Sequence, residues 1–168
     1  EKGRIIGYGV NYARDLGNHP PNIQTPANLS NEAVTISKKV SKMKSTIIDV
    51  KDFEKMGFGS FYGVARGSAA VTPAKMILVE YKGGKPKQKP LALVGKGLTF
   101  DTGGISLKPP TKMDEMKFDM CGSATVLGVL KVVAELQPNI NIIFAIGATE
   151  NMPGGDAQRP GDIVTAYN

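Results

Sequence analysis

The sequence has one cysteine, one histidine and no tryptophan among its 168 residues, and it has no long apolar run. A single cysteine, Cys121, cannot form an internal disulfide bond, so a reducing compartment is the simplest setting. Because His19 is the only histidine, we expect no histidine-based zinc site and no Ser/Cys–His catalytic pair in this sequence. Its neighbours Asn18 and Pro20 favour a position in a loop. Without a long apolar run we expect no membrane span. We also expect no secretory signal at Glu1, although the chain does not begin with Met and an upstream region stays open.

Several common motifs are absent as well, and their absence excludes the functions that they carry. The dipeptide Gly95-Lys96 lacks the upstream glycine and the following Ser/Thr of a phosphate-binding loop, and no G-x-G-x-x-G occurs. The run from Gly104 to Lys108 matches a nucleophile elbow except at its last position, where lysine replaces the required glycine. Nucleotide binding and serine hydrolysis are therefore poor interpretations.

Positive charge is in excess, with 21 Lys+Arg against 15 Asp+Glu. A basic surface attracts nucleic acid or an anionic membrane. Runs of charge are more commonly solvated surface, however, and aromatic residues, at 7%, leave few rings on which bases could stack. We therefore expect neither a nucleic acid nor a membrane as a partner. Much of the excess lies in a first lysine cluster, Lys38, Lys39, Lys42 and Lys44, and a second lysine cluster, Lys82, Lys85, Lys87 and Lys89.

Hydrophobic periodicity indicates alternating helices and strands. Such alternation is typical of an α/β domain, in which helices cover a sheet. One domain accounts for the length of residues 1–168. The predicted helices cover 3–17, 26–40 and 122–136, and the predicted strands cover 46–50, 75–81, 91–94 and 141–148.

The most informative stretch, residues 91–124, lies between an apolar strand and an apolar helix. It carries Lys96, Asp101, Lys108 and Asp119 in a glycine-rich context. Carboxylates beside buried elements are costly unless they are paired or bind a metal. Because this stretch contains no histidine, the side chains left to bind a metal ion are oxygen ligands and a neutral lysine amine. Two plainer alternatives stay open: Asp119 caps the following helix, and the two lysines are surface or salt-bridge residues.

The same stretch resembles the leucyl (cytosol) aminopeptidase family of two-metal peptidases. The matching segments are VGKGLTFDTGGISLKP (94–109), the Met-Asp-x-Met-x-x-Asp-Met run (113–120), ENMPGGDAQRPGDIV (150–164) and ARDLGNHPPNIQTP (13–26). The resemblance covers nearly the whole chain. It implies a mixed β-sheet flanked by helices on both faces, as the first part of a metallo-aminopeptidase catalytic domain.

The resemblance also assigns roles to five residues. Lys96 would bind a metal ion through its amine, and Asp101 and Asp119 would be carboxylate ligands. Lys108 would stay protonated and polarise the scissile carbonyl. Met116 would line the pocket for the first side chain of the substrate. The implied cofactors are two divalent ions, Mn²⁺ or Zn²⁺, together with a bicarbonate base.

The implied function is release of N-terminal residues from peptides, with a broad preference for Leu-like side chains, by a cytoplasmic homo-oligomer (a hexamer in the family). The remaining metal ligands and a catalytic Arg of the family follow the RPGDIV region, beyond Asn168. We therefore expect residues 1–168 to be the N-terminal portion of the catalytic domain, with no second domain and no activity by themselves. The alternative is a non-catalytic basic α/β module that binds nucleic acid or a protein partner.

Overall fold

A computed structural model describes residues 1–167 as an α/β fold around one four-stranded sheet. No helix in that range combines the length and the apolar character needed to cross a membrane. The elements are α1 (Lys2–Asn18), α2 (Pro26–Ser37), β1 (Met43–Asp49), α3 (Val50–Phe53), α4 (Gly59–Ala65), β2 (Lys75–Lys82), β3 (Leu91–Asp101), a 3-10 helix (Met113–Met120), α5 (Cys121–Leu136) and β4 (Asn141–Asn151).

The sheet is mixed, with the strand order β1-β2-β4-β3. β2 pairs antiparallel with β1 and with β4, whereas β3 and β4 are parallel. The 3-10 helix and α5 form the crossover that a parallel pair requires. The carboxyl ends of β3 and β4 therefore lie side by side, which is where open α/β sheets place their ligands.

Helices cover both faces of the sheet, as the sequence predicted. On one face, α1, α2 and α5 bury a large core that includes Leu29, Leu130 and Phe144. On the other face, Phe53 of α3 stacks on Phe61 of α4 with ring centroids 4.7 Å apart. The burial of these aromatic and aliphatic side chains supplies the main driving force for the layered fold.

Glycines allow α1 and α5 to approach closely. A Cβ atom added to Gly128 would lie 2.7 Å from the carbonyl oxygen of Gly9, and one added to Gly9 would lie 2.4 Å from the side chain of Val132. Contacts below 3 Å force atoms to move, so larger residues do not fit here. At Gly7, two residues earlier in α1, an added Cβ would meet no atom within 4 Å.

The structure extends and corrects the predicted elements. β3 runs to Asp101 instead of ending at 94. Gly95 and Gly97 continue the strand at positions where neighbouring atoms leave no room for a side chain. A Cβ atom on Gly95, for example, would lie 2.8 Å from Cα of Ser123 in α5. The helix predicted for 26–40 ends at Ser37, and the strand predicted from 46 begins at Met43. The three short helices α3, α4 and the 3-10 helix were not predicted, because segments this short show no clear period.

Candidate functional site

A β-bulge in β3 brings two of the predicted site residues to one face of the sheet. Lys96 and Asp101 are five residues apart, and regular alternation would place their side chains on opposite faces. Their partners in β4, Gly147 and Asn151, are four residues apart, because the register shifts between Leu98 and Phe100. The extra residue therefore restores Lys96 and Asp101 to the same face, with Cα atoms about 13 Å apart at the usual rise per residue.

Asp101 is held by three hydrogen-bond donors at the end of β3. Its Oδ2 accepts from Nζ of Lys108 at 2.6 Å, and its Oδ1 accepts from the backbone N–H of Gly103 at 2.9 Å and from Nδ2 of Asn151 at 2.8 Å. Burial by itself would raise the pKa of Asp101, but these hydrogen bonds outweigh it and hold the pKa below its usual range. Asp101 is therefore a charged, oriented carboxylate that is only 9% exposed.

The loop after β3 folds back so that Lys108 reaches Asp101. The backbone N–H and the hydroxyl of Thr102 both donate to the carbonyl oxygen of Asn151, at 3.0 and 2.8 Å. The N–H of Lys108 then donates to the carbonyl of Thr102 at 2.8 Å. Gly103 and Gly104 adopt φ values of +91° and +72°, which a residue with a side chain rarely adopts. The glycine pair is thus what permits the tight return of the chain.

Lys96 and Asp119 form the second lysine–carboxylate pair. Nζ of Lys96 lies 2.8 Å from Oδ1 of Asp119, and the side chains are 58% and 22% exposed. The other oxygen, Oδ2 of Asp119, is buried without a hydrogen-bond partner. Asp119 does not cap α5, since Met120 occupies the N-cap position and no side-chain cap is formed. The helix-capping alternative is therefore wrong, whereas the salt-bridge alternative describes both lysines correctly.

Met116 joins the first pair through the 3-10 helix. Its sulfur lies 3.2 Å from Nζ of Lys108. The helix that carries Met116 is tied to the end of α1, where Nζ of Lys117 donates to the carbonyl of Asn18 at 3.2 Å. The structure thus brings Asp101, Lys108 and Met116 into contact and pairs Lys96 with Asp119, so all five predicted residues lie on or beside β3.

The donors present fit part of a metal site. Within residues 1–167, no group of three or more His, Cys, Asp or Glu side chains is placed to hold an ion. The set around β3 consists of two carboxylates and one lysine amine, and a lysine ligates a metal only when it is neutral. The unpartnered, buried Oδ2 of Asp119 is the observation that favours a cation there, since a buried carboxylate oxygen without a partner is costly.

His19 and Cys121 take no part in this arrangement. His19 is exposed in the turn after α1, and its Nδ1 lies 3.3 Å from Oε1 of Gln24. Cys121 is exposed, but partial desolvation of its thiol, and secondarily the charge of Asp119, raises the pKa of that thiol, which makes it less reactive.

Asn151 is the site residue that sequence reasoning missed. It lies inside the quoted 150–164 segment but had no role assigned to it. The available signal was its position directly after a buried strand, at the sheet edge where ligands bind in α/β proteins. It also lines a polar cavity of about 270 Å³, together with Gly103, Gly104 and Arg159.

Fold and site together define an α/β domain with two lysine–carboxylate pairs on or beside the strand β3. The sequence model of the family described as "Cytosol aminopeptidase family, catalytic domain" matches residues 11–168. The chain therefore belongs to that family. The resemblance seen in the sequence is thereby confirmed.

Three relatives carry the name "Probable cytosol aminopeptidase". Over 168 residues the chain is 52% identical to the protein from Aromatoleum aromaticum, 52% identical to that from Nitrosospira multiformis and 50% identical to that from Nitrosococcus oceani. These alignments cover 100% of this chain but only 33%, 32% and 33% of the relatives. The chain thus spans about a third of the length of its relatives.

Proposed function

We propose that this chain is part of a metal-dependent aminopeptidase that releases N-terminal residues from peptides. The observation that carries the proposal is the bulge in β3, which gives Lys96 and Asp101 a common face although their spacing predicts opposite faces. Membership in the cytosol aminopeptidase family supports the same activity. The buried Oδ2 of Asp119, which has no hydrogen-bond partner, adds support, since a salt bridge with Lys96 alone leaves that oxygen unsatisfied.

In this proposal Lys96, Asp101 and Asp119 hold divalent ions, Mn²⁺ or Zn²⁺, with further ligands from the rest of the full-length protein. When bound, a pair of such ions lowers the pKa of a water molecule and stabilises charge that develops on the scissile carbonyl. Asn151 and the N–H of Gly103 orient the Asp101 carboxylate toward that task. Asp119 contributes the oxygen that has no protein partner.

Lys108 supplies a positive charge for the substrate carbonyl. Its ammonium group already lies beside a carboxylate that is charged at neutral pH. A fixed cation aimed at a developing oxyanion stabilises the transition state more than the ground state. Met116, in contact with Lys108, contributes a flexible apolar wall that suits Leu-like first side chains. Because apolar pockets discriminate by only a few kcal/mol, we expect broad specificity.

We further propose that the whole protein works in the cytoplasm as a homo-oligomer, a hexamer by family resemblance, with bicarbonate as its base. The name "cytosol aminopeptidase" of the relatives supports the location. Light scattering on the purified full-length protein measures the assembly: a hexameric mass agrees with the proposal, and a monomeric mass contradicts it.

The test of the activity uses the full-length protein and leucine p-nitroanilide. We expect hydrolysis to stop after dialysis against a chelator and to return with Mn²⁺ or Zn²⁺. Lys108→Met should lower kcat by about 10²–10³-fold, the usual effect of removing one group that stabilises an oxyanion. Lys112→Met, which removes an exposed lysine in the same loop region, is the matched control and should keep full activity. A chelated protein that still hydrolyses the substrate at the original rate would overturn the proposal.

A further inference from the structure

The polar cavity of about 270 Å³ lies on the same face of the sheet as the proposed metal ligands. Lys96 pairs with Gly147 in β4, and a Cβ atom on Gly147 would lie 3.3 Å from Phe61 of α4. Asp101 pairs with Asn151, which is four residues further along β4 and therefore on that same face. The cavity, which we call the side cavity, is lined by Gly63 and Val64 of α4 and by residues 103–106, 151–152 and 157–160.

Two of the lining residues connect the side cavity to the Asp101–Lys108 pair. The carboxamide of Asn151 and the backbone N–H of Gly103 both donate to Oδ1 of Asp101, at 2.8 and 2.9 Å. A Cβ atom on Gly103 would lie 3.2 Å from Cγ of Lys108. A single residue therefore separates the cavity from the carboxylate and from the ammonium group that the proposed reaction uses.

The segment that forms one wall of the side cavity is packed on the turn after α4. A Cβ atom on Gly67 would lie 2.0 Å from the carbonyl oxygen of Met152, and one on Gly154 would lie 2.5 Å from the carbonyl oxygen of Gly67. Ala157 is buried, and its N–H donates to the carbonyl of Gly154 at 3.1 Å. This wall is thus fixed before a ligand arrives, which lowers the entropy lost on binding.

Arg159 gives the side cavity a positive charge. Among the described residues that line the cavity, Arg159 is the only charged one. Its Nη2 lies 3.1 Å from Oδ1 of Asp162, and its backbone N–H donates to Oδ2 of Asp162 at 3.0 Å. These hydrogen bonds hold the pKa of Asp162 below its usual range, and the charge of Arg66 adds to the effect. Two guanidinium groups therefore share one carboxylate, and a positive charge remains.

The remaining groups of the side cavity suit a small polar ligand. An arginine has five N–H donors, and the Arg159 side chain is 76% exposed, so the donors that do not contact Asp162 are open to a ligand. Ser106 and Gln158 add a hydroxyl and a carboxamide to the lining. The volume of about 270 Å³ is slightly below the range of about 300–1,000 Å³ that is usual for small-molecule sites. The cavity therefore holds a short ligand with a negative group.

We propose that the side cavity binds the terminal carboxylate of a short peptide substrate and that Arg159 recognises this carboxylate. The inference rests on the proposed peptidase function, which places the scissile carbonyl at Lys108. Arginine forms charge-assisted hydrogen bonds with carboxylates. Each residue of an extended peptide spans about 3.3–3.6 Å, so one or two residues beyond the scissile bond bring the carboxylate into the neighbouring cavity. The protein therefore prefers di- and tripeptides with a free carboxylate to peptides with a blocked C-terminus.

The test compares hydrolysis of Leu-Gly-Gly and of its C-terminal amide by the full-length protein. We expect kcat/KM to be about 10-fold higher for the free carboxylate, mainly through a lower KM, as one partly exposed hydrogen bond to a charged group would produce. Arg159→Gln should lower this ratio to about 1. Arg159→Lys keeps the charge but loses the planar fork, so it should retain part of the preference. Asp162→Asn removes the competing negative charge and should raise the ratio several-fold.

Arg4→Gln is the matched control, because Arg4 is exposed and also pairs with a carboxylate three residues away, that of Glu1. It should leave the ratio of the two kcat/KM values unchanged. A change in this control as large as that in Arg159→Gln would assign the effect to net charge and overturn the inference.

Three further results distinguish the inference from the proposed function. A parent protein that hydrolyses leucine p-nitroanilide, and both tripeptides with equal kcat/KM, keeps the proposed activity but overturns the recognition of a free carboxylate. An Arg159→Gln variant that loses hydrolysis of all three substrates and regains it with added bicarbonate assigns Arg159 to a free anion, which also overturns the inference. A parent protein that hydrolyses none of the three overturns the proposed function and the inference with it.

Discussion

The carboxamide of Asn151 donates a hydrogen bond of 2.8 Å to Oδ1 of Asp101, a residue 50 positions earlier. The carbonyl of the same Asn151 accepts from the N–H and the hydroxyl of Thr102. Asn151 therefore ties the ends of β3 and β4 together and fixes the direction of the Asp101 carboxylate. In the proposed metal site, such an orienting residue would contribute to metal affinity without touching the ion.

Replacing Asn151 should weaken metal binding more than it weakens the fold. We expect Asn151→Ala in the full-length protein to bind Mn²⁺ about 10–100-fold less tightly in calorimetric titrations. Asn139→Ala is the matched control, because Asn139 is exposed in a loop away from the site. Unchanged Mn²⁺ affinity in the Asn151 variant, beside lost affinity in Asp101→Asn, would show that Asp101 needs no orienting partner.

Deleting Thr99 should remove the bulge and still leave Asp101 on the same face of the sheet as Lys96. The register of β3 against β4 shifts only between Leu98 and Phe100, so the deletion leaves Lys96 and Asp101 four residues apart in simple alternation. We therefore expect a folded deletion variant to keep leucine p-nitroanilide hydrolysis. Thr99→Val keeps the chain length and loses only a 3.4 Å hydrogen bond to Thr149, so it should remain active as well. Circular dichroism and gel filtration show whether the deletion variant folds, and a folded but inactive deletion variant beside an active Thr99→Val variant would contradict the prediction.

Two glycines of α1 should respond to alanine in opposite ways. Gly9→Ala places a methyl group 2.4 Å from the Val132 side chain and 2.9 Å from the carbonyl oxygen of Gly128, so we expect destabilisation of about 1–3 kcal/mol. Gly7→Ala meets no atom within 4 Å and should stabilise the helix by about 0.5–1 kcal/mol. Thermal melts of both variants test this, and equal shifts of the melting temperature would argue against close contact of α1 with α5.

The Asp49–Lys75 ion pair, which joins β1 to β2, should stabilise the protein only above acidic pH. The hydrogen bond from Lys75 holds the pKa of Asp49 below its usual range. A carboxyl with a lowered pKa stabilises the fold above its unfolded-state pKa of about 3.9, and this contribution is lost as the pH falls through the folded-state value.

Since both side chains are partly exposed, we expect Asp49→Asn to lose only about 0.5 kcal/mol at pH 7. The difference from the parent should shrink below pH 4 or so, where the carboxyl begins to take up protons. Lys75→Met should show the same pH dependence, and the double variant should be no worse than either single one. A difference that persists at pH 2.5 would assign the effect to packing.

Most of the fold follows from periodic apolar residues. The strands Lys75–Lys82 and Asn141–Asn151 and the helix Cys121–Leu136 match their predicted positions to within three residues, because each buries a continuous face. The full length of β3 was beyond such reasoning. Gly95, Lys96 and Gly97 interrupt its apolar pattern, and the strand continues there because it pairs with β4, while α5 packs closely on Gly95.

The proposed site was predicted as a set of residues but not as an arrangement. Resemblance to a family selected Lys96, Asp101, Lys108, Met116 and Asp119, and the structure groups all five along β3. Spacing by itself would have placed Lys96 and Asp101 on opposite faces of the sheet, since only the bulge reverses the alternation. The orienting role of Asn151 depends on β3 lying beside β4, a pairing of distant segments that local sequence does not encode.

The outer side of β3 has a consequence for how this stretch of chain behaves in solution. β3 bonds to β4 on one side, and no other strand within residues 1–167 borders its second side. Val94 and Leu91 are 77% and 54% exposed along this strand. Unpaired strand edges with apolar side chains template further pairing between molecules. A preparation limited to these residues would therefore associate edge to edge, and its solubility would depend on β3 more than on its net positive charge.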